Sequence, residues 1–225
     1  MSVGFILIHK PIDWTSHDVV GYLRKITGIK KIGHAGTLDP FAEGLLIIGI
    51  GREATKRLDH FKLLDKTYRA DIMLGSTSET LDRTGRLTPI TFDTPPTVAD
   101  IQRTLGSLTG DIIQTPPMYS AKKVGGVPLY RMARRGEVID RAPHHVHIHS
   151  ITLESYCFPL LTLTVVCSPG TYIRTLADDI GSHLLTGAYC HSLVRTAIGH
   201  YPLSNAVLPT SLDSTWQTHL FQIDS

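Results

Sequence analysis

The chain is short of cysteine, of net charge and of long apolar runs, and each shortage closes off a class of protein. Its three cysteines among 225 residues, Cys157, Cys167 and Cys190, are odd in number and share no metal-type spacing. That argues against a disulfide scaffold or a cysteine-ligated metal domain and points to reduced thiols in a cytoplasmic protein. No apolar run approaches the roughly 20 residues that a membrane helix needs. Phe5-Ile6-Leu7-Ile8 is brief, has no basic leader and runs straight into His9-Lys10-Pro11, so it reads as a first strand and not as a signal peptide. A formal net charge of +2 does not by itself announce a nucleic-acid partner. There is no internal repeat, no low-complexity tract and no clear linker, and the turn-rich stretch from Thr91 to Pro96 is too short to separate domains. One domain over residues 1–225 is therefore expected. No Gly-Lys-Ser/Thr follows any glycine-rich segment, which excludes a nucleotide phosphate loop.

What is present is an ordinary globular composition, 42% hydrophobic, with its basic residues gathered locally. They cluster at Arg24, Lys25, Lys30 and Lys31, at Arg52, Lys56 and Arg57, and at Lys122, Lys123, Arg131, Arg134 and Arg135. Such patches can meet phosphates although the total is near neutral; solvated helix faces account for any one of them equally well. Gly4 to His9 and Leu45 to Ile50 are apolar enough for central strands. Ser16 is placed to cap a helix reaching Thr27, with Val19, Val20, Leu23 and Ile26 on one face and Gly28 as the stop. Tyr68, Ala70, Ile72 and Leu74 alternate as in a strand. Pro95-Pro96-Thr97 opens a helix to about Leu108, with Val98, Ile101 and Leu105 inward. Strands near Val146–Tyr156 and Leu160–Cys167 are joined closely enough to be antiparallel, and a helix spans about Tyr172 to Leu185. This is an α+β pattern. His145, His147 and His149 fall on one strand face; because Val146 and Ile148 then face the core, an exposed polar face is favoured over a zinc site.

The most informative segment is Gly33-His34-Ala35-Gly36-Thr37-Leu38-Asp39-Pro40-Phe41-Ala42-Glu43-Gly44-Leu45-Leu46. A single carboxylate is clamped among glycines, a threonine and a proline, directly ahead of a buried strand. Pro40 fixes its own φ and pushes Asp39 toward an extended conformation. The segment resembles the catalytic motif of the TruB family of RNA pseudouridine synthases, in which this aspartate is the nucleophile. Ser168-Pro169-Gly170-Thr171-Tyr172-Ile173-Arg174-Thr175-Leu176-Ala177-Asp178-Asp179 resembles a second family element, whose arginine sits against that aspartate; a guanidinium can hold a carboxylate at two points. By residue type alone, a surface helix residue paired with Asp178 is the preferred reading of Arg174. Lys66-Thr67-Tyr68, followed by Leu74-Gly75-Ser76-Thr77-Ser78-Glu79-Thr80-Leu81-Asp82-Arg83-Thr84-Gly85, is similar to the stretch whose tyrosine stacks on the target base. Asp82 there reads as a turn residue and not as catalytic. Leu193-Val194-Arg195-Thr196 resembles the element whose leucine lines the uracil pocket.

The resemblance implies a catalytic set of Asp39, Arg174 and Tyr68. It implies substrate contacts from His34, which in the family fills the space left by the flipped nucleotide, and from Leu193, Gly36, Thr37, Lys10, Lys122 and Tyr172. Lys10-Pro11 with Ser16 matches the family's opening motif, except that Ile12-Asp13-Trp14 departs from its usual glycine. Gln114 to Lys123 and Tyr130 to Gly136 resemble a basic loop that closes over RNA. The implied fold is a mixed, largely antiparallel central sheet flanked by helices and loops. The implied reaction converts uridine 55 in the T loop of tRNA to pseudouridine: the N1–C1′ bond breaks, the uracil turns, and C5 joins C1′. Nothing is oxidised and no outside group is transferred, so the chemistry calls for neither metal nor cofactor. Family members commonly continue into a PUA-type RNA-binding domain, for which too few residues follow Tyr201. A monomer acting on the T arm without an obligate protein partner is expected. The alternatives are a guide-dependent synthase and a tRNA-folding chaperone whose catalysis is dispensable.

Overall fold

The computed structural model describes residues 3–120, 122–133, 135–137 and 139–223; Ala121 and Arg134 of the expected basic loop lie outside them. The chain forms two compact units, one up to Tyr68 together with the chain from Val194 onward, the other from Arg69 to Leu193. The first begins with β1 (Gly4–Lys10), α1 (Ser16–Thr27), β2 (Ile32–Ala35), β3 (Glu43–Ile50), the short helices α2 (Arg52–Lys56) and α3 (Leu58–Lys62), and the start of β4 (Lys66–Leu74). The second continues through β5 (Ser76–Ser78), β6 (Leu87–Pro89), α4 (Val98–Ser107), β7 (Gly110–Gln114), β8 (Lys123–Val124), β9 (Val127–Pro128) and α5 (Leu129–Ala133). It ends with β10 (His144–Cys157), β11 (Leu160–Cys167), α6 (Ile173–His183) and most of β12 (Ala188–Ile198), before β13 (Tyr201–Pro202) in the first unit. The unit boundaries thus fall inside β4 and β12, not in the turn-rich Thr91–Pro96 stretch.

In the first unit β3 pairs antiparallel with both β1 and β2. It also pairs parallel with β12, with Val194 opposite Glu43 and Arg195 opposite Gly44. The sheet is therefore mixed. The apolar runs of β1 and β3 lack alternation because both their faces are covered. Ile6, Ile8, Leu46 and Ile48 pack with Val19, Val20 and Leu23 of α1. Phe5, Leu7, Leu45 and Ile47 pack with Ala54, Leu58 and Phe61 on the other side. Helix α1 stops at Gly28, whose φ of 70° is left-handed. Its cap, however, is Thr15 and not Ser16: Thr15 and Asp18 form a reciprocal capping box. Ser16 is turned inward, for a reason given by the site below.

The second unit carries the strand order β4-β11-β10-β7, with β10 antiparallel to both neighbours. In β4 the expected alternation holds, with Tyr68, Ala70, Ile72 and Leu74 buried. Val146 and Ile148 of β10 are buried while His145 and His149 are exposed. His147 bonds through Nδ1 with Asp111 at 2.7 Å. Thr97 caps α4, and Ile101 and Leu105 face inward. Val98 does not: it is 49% exposed, because it stands in the first turn, ahead of the part of the helix that packs. The three cysteines are free thiols, Cys167 and Cys190 buried and Cys157 exposed. Among the described residues no helix is long and apolar enough to cross a membrane.

Candidate active site

In the first unit, the loop from Gly36 to Ala42 joins β2 to β3 and carries Asp39. Its apolar members are the anchors: Leu38, Phe41 and Ala42 are 3% exposed or less. Thr37 and Pro40 are exposed and Asp39 is half-buried. Polar contacts then pin the backbone on either side of the carboxylate. The buried Ser16 hydroxyl accepts from the Leu38 N–H at 3.0 Å and lies 3.2 Å from the Leu38 carbonyl, which is why Ser16 turns inward and leaves the capping to Thr15. The Pro40 carbonyl accepts from the Asp13 N–H at 2.8 Å, and the Ala42 N–H donates to the Asp39 carbonyl at 3.1 Å. Asp13 reaches its position with φ of 64°. The family's glycine is explained by that left-handed backbone, which aspartate tolerates better than most residues.

Lys10 is 0% exposed. Its ammonium donates to the carbonyls of Trp14 at 2.6 Å, Pro11 at 2.8 Å and Pro40 at 3.4 Å. Burial pulls its pKa from 10.5 to about 8, opposed by the carboxylates of Asp39, Asp13 and Glu43. With its surface covered and its ammonium on three backbone carbonyls, Lys10, expected from the resemblance as a substrate contact, braces the loop in this structure. His34, on β2, is half-buried, and its ring meets that of His17 edge-on at 6.3 Å. Burial, reinforced by the charges of His17 and Arg195, lowers its pKa to about 4, so the imidazole is neutral at physiological pH. Gly36 has φ of 80°, and Tyr68 is 9% exposed.

In the second unit, Arg174 on α6 is 3% exposed, which rules out the surface residue paired with Asp178. Its guanidinium donates to the carbonyls of Tyr119 at 2.7 Å and Thr80 at 2.8 Å and lies 3.4 Å from the Asp82 carboxylate. Asp82, read from the sequence as a turn residue, is that and more. One carboxylate oxygen accepts from the Thr80 hydroxyl at 2.7 Å, the Thr84 hydroxyl at 2.6 Å and the Thr84 N–H at 2.9 Å. The other faces Arg174. The signal that could have found it is the pair of threonines two positions to either side, a donor set that consumes one oxygen and leaves the second for a cation. Leu193 is buried and Lys122 is exposed. Tyr172 is held by Gln114, which accepts from its N–H at 2.9 Å and donates to its carbonyl at 3.2 Å. Among the described residues no three metal-ligating side chains converge.

The fold is that of the pseudouridine synthases. It matches a chain of a solved Cbf5–Nop10–Gar1 complex with a TM-score of 0.73 at 24% identity, over 98% of this chain and 60% of that one. The family model described as TruB family pseudouridylate synthase (N terminal domain) matches residues 24–173, and the chain belongs to that family. A tRNA pseudouridine synthase B of Opitutus terrae is 42% identical over 94% of this chain and 87% of its own length. One of Geotalea uraniireducens is 42% identical over 91% of this chain. The chain spans only 66% of the length of that relative.

Proposed function

We propose that this protein is a tRNA pseudouridine synthase that isomerises uridine 55 of the T loop, with Asp39 as the nucleophile. The single observation that carries the reading is the clamped loop: a carboxylate whose flanking peptides are tied down at Leu38, Pro40 and Ala42. Such a group meets its target without first having to be ordered. Asp39 attacks either the base or the sugar once the uridine has left its stack. Tyr68 stacks on the uracil, a contact worth about 1–3 kcal/mol per base. The neutral, flat imidazole of His34 suits the space that a flipped nucleotide vacates. Gly36 and Thr37 border the approach to the carboxylate. Arg174 is the cation of the reaction, Leu193 an apolar wall for the uracil, and Lys122 and Tyr172 RNA contacts. The reaction is an isomerisation without redox change, so metal and cofactor have no step to perform. The enzyme acts on the T arm as a monomer in the cytoplasm, without an obligate protein partner.

The test is incubation of purified protein with unmodified tRNA and with bare T-arm RNA, followed by mapping of pseudouridine. Product at the one T-loop uridine, abolished by Asp39→Asn, supports the reading. A requirement for a guide RNA would favour the guide-dependent class. Improved tRNA folding that survives Asp39→Asn, with no product from the wild type, would favour the chaperone.

A further inference from the structure

We infer that Arg195 is a positioning residue whose guanidinium closes the neck of the Asp39 loop and sets the rate of the reaction without touching the RNA. This deepens the reading above and rests on it. Arg195 lies on β12 opposite Gly44 and is 1% exposed. Its Nε donates to the Leu45 carbonyl at 2.7 Å and its Nη2 to the Gly36 carbonyl at 3.1 Å. Those carbonyls stand at the two ends of the loop, one ahead of Asp39 and one behind it, so a single rigid plane spans the neck.

The glycines at both ends fit the same residue. A Cβ on Gly44 would stand 2.4 Å and 2.6 Å from the backbone O and N of Arg195. Any side chain there would push β12, and Arg195 with it, off β3. Gly36 has a Cβ direction that points at Nη1, 3.6 Å away, and a φ of 80° that side chains rarely adopt. Both hydrogen bonds end on neutral carbonyls, and a buried cation held this way is costly to desolvate. An apolar residue of similar volume would fill the space at less cost, but would take this donor from the Leu45 and Gly36 carbonyls and leave the loop neck open. Lysine would keep the charge, yet a single ammonium on a flexible stem does not reproduce the two-point fork. With Lys10 donating to Pro40, two buried cations hold the backbone of the loop that carries Asp39.

The test uses Arg195→Lys and Arg195→Met in the whole chain, with Thr196→Val as a control for general weakening of β12. Single-turnover pseudouridine formation, tRNA dissociation constant, melting temperature and hydrogen exchange of the loop amides are read for each. The expected result for Arg195→Lys is a rate at least tenfold lower, a dissociation constant within threefold of wild type, and faster exchange at Leu38 and Ala42. Arg195→Met is expected to be worse in rate, and Thr196→Val to keep the rate despite a comparable loss of melting temperature. A rate within threefold of wild type in Arg195→Lys, or a loss wholly in tRNA affinity, overturns the inference. If Arg195→Met does not fold, Arg195→Lys decides. If the wild type makes no pseudouridine, the functional reading fails, while unchanged loop exchange in Arg195→Lys refutes the brace independently.

Discussion

Removing the Asp82 carboxylate is the sharpest perturbation the structure offers. Asp82 is 4% exposed and Arg174 3%, so the two charges share an interior where water cannot replace a lost partner. Truncating one member of such a pair typically costs about 3–5 kcal/mol, because the other charge is left buried. Here the loss is moderated by the Thr80 and Tyr119 carbonyls, which still accept from Arg174. It is increased by the three donors from Thr80 and Thr84 that lose their acceptor. Asp82→Asn keeps an oxygen for those donors and removes only the charge, with an expected cost of about 1.5–3 kcal/mol. Asp82→Ala removes both and should cost about 3–5 kcal/mol, a large share of the roughly 5–15 kcal/mol that holds a typical domain together. Urea unfolding followed by circular dichroism gives both values, and a double-mutant cycle with Arg174→Met isolates the pair. The expected coupling is about 2 kcal/mol or more. An Asp82→Ala variant within about 1 kcal/mol of wild type, or strict additivity with Arg174→Met, would refute the reasoning; both numbers follow from reading the pair as a buried network. Because Arg174 is also proposed to serve the reaction, Asp82→Asn should slow single-turnover pseudouridine formation more than it weakens tRNA binding.

Three other outcomes follow from the first unit. Gly44→Ala places a Cβ 2.4 Å from the Arg195 carbonyl oxygen at a φ of 110°; soluble expression should fall sharply, and a normally folded variant by circular dichroism would show that β3 and β12 are not packed as described. Lys10 has a folded pKa of about 8 against 10.5 unfolded, so the unfolded state binds more protons between these values. Stability should therefore rise by up to about 3 kcal/mol from pH 8 to 10.5, and Lys10→Met should abolish that rise, as urea melts at both ends of the window will show. His34, with a folded pKa of about 4 against 6.5, gives the same sign lower down: its contribution is complete above pH 6.5 and is lost as pH falls toward 4. An NMR titration of His34 with a midpoint above 6 would refute its burial as the cause.

The legible features of the fold were those with a local cause. Alternation at Tyr68–Leu74, the glycine stop at Gly28 and the close joining of β10 to β11 depend on neighbours in the chain, and the structure has them where the pattern put them. The misplacements have tertiary causes. Ser16 resembles a cap by residue type, but the Leu38 peptide claims its hydroxyl and Thr15 takes over the cap. Val98 fits the helical stripe by spacing, but the packed surface begins at Ile101.

By itself, the sequence determined the family, the mixed α+β class and the identity of the clamped carboxylate. A motif and an apolar period are written in consecutive residues and need no partner to be read. Only the tertiary structure decided where the cations end up. Lys10 turned inward to three carbonyls, Arg195 came to bridge Gly36 and Leu45, and Asp82 met Arg174. The Pro40 contact of Lys10 and the other two arrangements depend on bringing residues far apart in the chain together, through strand register or packing, and all three depend on burial. A charged side chain carries no local mark of whether it will face water or the interior.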